Sequence, residues 1–228
     1  MIPGEINRLW VDYLATERIR VRQQSLQALE SFIGALVQLP AEVWHPWARQ
    51  LAQHVVDDND DIPIRLPLFR SVIFPALVTG LNSSSSGCAR WLAGLAQLLY
   101  KSPSCQDQLP ENQRSEFGLL LRAVQDDPND TRAKKRLLSL MRSRFDYALH
   151  ELPAGVLYGH DGATIEQCDE LLVELSDYER LAMEFGAEEE DRELIAQSRF
   201  HIPAYRRYLL EGGRDANYET FLSTHERH

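Results

Sequence analysis

Cysteine is scarce in this chain of 228 residues: Cys88, Cys105 and Cys168 are the whole complement, widely spaced and odd in number. No CxxC pair occurs, so neither a zinc knuckle nor a disulfide framework is suggested, and a reducing cytoplasm is the expected compartment. Long apolar runs are missing too. The longest, Val72 to Val78, falls far short of a membrane span. The opening MIPGEINRLW lacks the basic-then-apolar order of a signal peptide. Neither GxGxxG, GxxxxGKS/T nor GxSxG occurs, which removes the common phosphate cradles and the nucleophile elbow. Strand-period segments of useful length are absent as well, so the expected fold class is all-α.

What is present is apolar residues at helical spacing. Ile6, Leu9, Trp10 and Tyr13 start a short stripe, and Leu26, Leu29, Phe32, Ile33 and Leu36 a longer one ended by Pro40. Val43 to Val55 follow, until the acidic run Asp57 to Asp61 breaks the pattern. Asp57, Asn59 and Asp61 imitate a calcium loop, but Ile62 stands where glycine is needed and Leu68 where glutamate is; a solvated turn is expected. Pro67 suits a first helical turn, and Pro75 should kink or divide the helix that follows. The serine run Asn82 to Gly87 reads as a turn that supplies an N-cap to a helix over 88–99. Thr164 and Gln167 form a capping box, Gly186 is placed to end that helix, and Pro203 predicts a bend in the next.

Charge is unevenly placed. The net charge is −10, and Glu166 to Glu193 holds twelve acids against Arg180 and Arg192. Thr131 to Phe145 holds six basic residues (Arg132, Lys134, Lys135, Arg136, Arg142, Arg144) and no acid. These bases interrupt a core stripe, Leu137, Leu138, Met141 and Phe145, and acids flank them, which disfavours nucleic acid as a partner. An antiparallel pairing of this basic helix with the acidic one is expected, the bases facing Glu170, Glu174 and Asp177.

Two stretches resemble helical-repeat families. Ala123, Asp127-Pro128-Asn129, Ala133, Leu137, Phe145 and Ala148-Leu149 echo the joint of a tetratricopeptide repeat. Pro67-Leu68-Phe69, Ile73 and Pro75-Ala76-Leu77 look like a HEAT-type helix. Each covers at most about a sixth of the chain, and there is no clean period. Together they imply an irregular stack of antiparallel helix pairs. The expectation is about nine or ten helices in one domain, 1–228, with a subdivision into 1–110 and 111–228 as the variant.

Chemistry concentrates in Leu149 to Thr164, where Pro153, Gly155, Gly159 and Gly162 enclose Val156-Leu157-Tyr158 and His160-Asp161. The His-Asp pair is similar to that of metal-dependent HD phosphohydrolases, which carry it inside a helix with further ligands from neighbouring turns. Here glycines bracket it and no second pair exists. His150-Glu151 begins like a zincin motif, but Pro153 stops the helix before a second histidine. The primary expectation is therefore a non-catalytic protein-binding module with no cofactor, no metal and no membrane partner. Its partner would be another, basic protein, and one version is an inhibitor or immunity-type protein. Tyr158, Glu170, Glu174, Asp177, Glu188, Glu189, Glu190 and Asp191 are the candidate partner-binding residues. The alternatives are a helical metal-dependent hydrolase using His150, His160 and Asp161, and a general helical-repeat scaffold.

Overall fold

The structure is a computed structural model that describes residues 2–151, 164–211 and 217–225. It is 80% helical with no strand among the described residues, as the apolar spacing predicts. No described helix is long and apolar enough to cross a membrane. The chain divides into two compact units, Met1–Ala133 and Lys134–His228. Their seam falls inside a helix rather than in a loop.

In the first unit α1 (Gly4–Ile19) and α2 (Arg22–Leu36) form a hairpin with a two-residue turn. The apolar stripe of α1, Ile6, Trp10 and Tyr13, is buried, as are Leu29, Phe32 and Leu36 of α2. Trp10 lies 5.1 Å from Phe32 and 5.3 Å from Trp47 of α3 (Ala41–Asp57), an aromatic cluster that joins all three helices. Such pairs add about 0.5–1.5 kcal/mol each beyond their buried area. The Tyr13 hydroxyl donates to the Pro63 carbonyl at 2.8 Å, and Arg65 pairs with Glu17, so α1 also pins the segment that precedes α4 (Leu66–Leu68).

Pro75 has no N–H to give the Ser71 carbonyl. The chain absorbs this as a π-turn, Phe69–Ile73, between α4 and α5 (Phe74–Asn82), with the Phe74 N–H bonding back to the Phe69 carbonyl. The serine run supplies no side-chain cap. Gly87, at φ +84°, leads into α6 (Cys88–Gly94) instead, and a Cβ there would meet the Trp91 ring at 2.6 Å. The helix expected over 88–99 is two helices, α6 and α7 (Ala96–Tyr100), because Gly94, a weak helix former, and Leu95 close the first with a tightened turn. The short α8 (Pro103–Gln106) leads through a 3₁₀ turn to α9 (Glu116–Asp126). The expected helix count is roughly right, and the excess is this splitting.

The second unit takes most of α10 (Thr131–Glu151), then α11 (Ile165–Glu184), α12 (Glu189–Leu210) and α13 (Tyr218–His225). Both bonds of the Thr164–Gln167 capping box are formed, and Gly186 adopts φ +77° just beyond α11. Lys134 pairs with Glu184 and Arg144 with Glu174, so ten residues forward on α10 are ten back on α11. The two helices are therefore antiparallel. Arg206–Asp169 and Arg199–Glu179 set α12 against α11 in the same sense. α12 runs on through Pro203 without interruption. Tyr218 and Phe221 of α13 are buried against Tyr205 and Tyr208, with ring centroids 5.1 and 5.5 Å apart.

Candidate functional site

The second unit holds 19 acidic against 12 basic residues, so it carries −7 of the chain's net −10. Folding consumes most of the acids of 166–193. Asp169, Glu174, Asp177, Glu179, Glu184, Glu188, Glu189 and Asp191 each lie within 4 Å of a lysine or arginine nitrogen. Glu166, Glu170, Glu190 and Glu193 make no such ion pair among the described residues. Glu190 and Glu193 share a groove of about 420 Å³ with Leu194 and Gln197 of α12 and with Arg142, Ser143 and Asp146 of α10. Three carboxylates, one aliphatic side chain and the edge of the Arg142 guanidinium thus line one concave site.

A buried post holds the two helices in this register. Asp191 is 1% exposed, and its carboxylate takes both prongs of the Arg142 guanidinium at 2.8 Å. It also accepts the Tyr178 hydroxyl at 2.6 Å and the Glu188 N–H at 3.2 Å. The last bond is half of a capping box, so the group that satisfies the start of α12 also anchors it to α10 and α11. Tyr178 in turn stacks on Phe145 at 5.5 Å and 15°. Burial alone would raise the Asp191 pKa; hydrogen bonds from Arg142 and Tyr178, with the guanidinium charge, bring it below the ordinary value. Burial, then the Asp191 hydrogen bond and charge, push the Tyr178 hydroxyl well above its usual range.

This corrects one expectation. Asp191 cannot face a partner, because all its acceptor capacity is turned inward. The remaining candidates scatter. Glu170 is exposed on α11; Glu174 is half-buried, 3.2 Å from Arg144; Asp177 pairs within its own helix with Arg180. Glu188 caps α12 and Glu189 pairs with Arg192. Of the described candidates only Glu190 lines the groove. His150 is exposed in the last turn of α10, while Tyr158, His160 and Asp161 lie outside the described residues. The residues missed, Asp146, Glu193, Leu194 and Gln197, were legible in part: 190, 193, 194 and 197 have the i, i+3, i+4, i+7 spacing of one helix face.

No family model, no curated protein and no solved structure matches this chain.

The repeat-like resemblances therefore rest on their local residues. In the tetratricopeptide-like stretch, Asp127-Pro128-Asn129 does lie in a short turn between α9 and α10, and Asp130 caps α10 through the Ala133 N–H at 2.9 Å.

In the first unit the acidic run is not the solvated turn expected of it at Asp57. That side chain is 4% exposed and receives Arg90, the Trp91 indole N–H at 2.8 Å and Arg132 at 3.4 Å. Arg90 also bonds Asp130 at 2.7 Å. These cations offset a carboxylate at the negative end of α3. No group of three or more His, Cys, Asp or Glu among the described residues is arranged to hold a metal. Burial pushes the Cys168 thiol up to about 11 and raises those of Cys88 and Cys105, so all three stay protonated near neutrality.

Proposed function

We propose that this chain is a non-catalytic helical module that binds a basic protein through the α10–α12 groove. One observation carries the reading: Asp146, Glu190 and Glu193 line one concave site with Leu194, beside the buried Asp191 post that ties α12 to α10. A lysine or arginine side chain suits such a site, because its aliphatic stem lies on Leu194 while its charged head meets carboxylate. The surplus charge of the second unit would steer that partner in from a distance and raise the association rate. Masking a basic toxin or nuclease, as an immunity-type protein does, is the version that uses this charge most directly.

The test is capture from the native source with wild-type chain and with Glu190→Lys combined with Glu193→Lys. The wild type should retain a basic protein whose association slows about tenfold or more on raising salt, and the double variant should lose it. A captured partner that binds both forms equally, with the same salt dependence, would sink the reading.

A further inference from the structure

Most arginines among the described residues are held by carboxylates. Arg65, Arg90, Arg122, Arg142, Arg199 and Arg206 all hold carboxylates. Among the described residues Arg8, Arg49 and Arg70 have no carboxylate partner, and neither have the three arginines clustered where α1 meets α2, Arg18-Ile19-Arg20-Val21-Arg22. All five residues are exposed, Ile19 to 67% and Val21 to 39%, and none of the three arginines forms an ion pair among the described residues. Asp61 lines the groove beside Arg18 and Arg20 without pairing with either, and Glu17 in that groove is taken by Arg65. The stripe continues along the outer face of α1 through Ala15, Val11 and Arg8, all exposed, with Asp12 as its one carboxylate.

Arg20 adds a second oddity. It sits at φ +61°, the left-handed position that follows a helix and that glycine fills without strain. An arginine held there, between two exposed β-branched residues, puts cation and apolar surface side by side. That combination suits a docking surface that pairs charge with apolar contact.

We propose that this turn docks onto a second copy of the chain, in the carboxylate groove of the copy's second unit. The two surfaces match in kind. Three arginines with Ile19 and Val21 meet three carboxylates, Asp146, Glu190 and Glu193, with Leu194. Tyr147, exposed to 58% and one helical turn beyond Ser143, extends the apolar part of the acceptor. The proposal borrows the groove from the functional reading above, and its donor surface is independent of that reading. Each contact uses one donor turn and one acceptor groove, so the copies pair either reciprocally, as a two-fold dimer, or head-to-tail. In the cell it would compete with a basic partner for the same groove.

Sedimentation velocity of the full chain tests this with two sets of neutral substitutions. One set is Arg18→Gln, Arg20→Gln and Arg22→Gln; the other is Asp146→Asn, Glu190→Gln and Glu193→Gln. All six positions have exposed side chains, so both variants should keep the helical circular dichroism of the wild type. The wild type should self-associate at about 20 mM salt and at least tenfold more weakly at about 500 mM. Each variant alone should stay monomeric. An equimolar mixture should form a one-to-one dimer and nothing larger, because only one intact donor and one intact acceptor remain. A wild type that is monomeric throughout, or a mixture that does not pair, overturns the proposal. So does a monomeric wild type whose arginine turn binds anionic vesicles or duplex DNA, which would give the stripe a different occupant. The arginine-turn variant keeps the groove, so it should still capture a basic partner, and the two readings can fail separately.

Discussion

Asp191 shows how a single carboxylate sets the geometry of residues that it never touches. Its folded-state pKa is depressed, so at neutral pH it stabilises the fold, and that contribution disappears as pH falls through the folded value, below the ordinary 3.8. Asp191→Asn should therefore cost about 3 kcal/mol in urea unfolding at neutral pH. The figure sits at the low end for a broken buried pair because Arg142 is about a third exposed and can turn to water. The same variant should flatten the acid limb of the stability profile. Tyr178→Phe, which removes one charge-assisted hydrogen bond, should cost about 1.5–3 kcal/mol. Arg20 predicts the opposite sign. Arg20→Gly should raise stability by about 0.5–1 kcal/mol, since glycine takes the positive φ without strain at some cost in chain entropy. A loss of stability there would mean that the arginine side chain holds the turn together.

Helices are the level at which the sequence is most informative, and each failure has a physical cause. Stripe spacing, the Thr164–Gln167 box and the Gly186 stop are all short-range patterns, and each is realised. Leu95 could not be foreseen as a break, because the apolar stripe crosses it unchanged while Gly94 weakens the turn. Asp191 could not be foreseen as a buried post, because its burial depends on Arg142, 49 residues away. Counting charge along a segment treats every acid alike; only the packed helices separate a spent carboxylate from an available one. Close approach is equally invisible in sequence. A Cβ on Gly80 of α5 would stand 2.3 Å from the Cys88 sulfur of α6, so Gly80→Ala should destabilise by about 1–3 kcal/mol through overpacking. On α11, burial raises the Glu174 pKa, followed by Arg144, which lowers it, and Glu170 and Asp177, which raise it. A raised carboxyl pKa opposes folding above the folded value and is relieved as pH falls through it. Glu174→Gln should therefore be neutral or stabilising at pH 7 and should lose that advantage under acid, which denaturant titration at two pH values would read.

For the whole molecule, the all-helical class was legible throughout, because one period governs nearly every segment. The candidate groove was legible only as a surplus of charge, since choosing among twelve acids requires knowing which helices meet. The seam between the two units was hidden, because it lies within α10 rather than in a loop. That placement turns digestion into a timing device. Trypsin has four sites near the seam, at Arg132, Lys134, Lys135 and Arg136, yet all four belong to a helix. A protease needs an extended stretch of some residues, so cleavage there must wait for α10 to unwind locally. With protease scarce, the rate of the cut reports the fraction of time the helix is open, and with protease abundant it reports the rate of opening. A ligand that occupies the groove and grips Asp146 should slow that clock, whatever its identity.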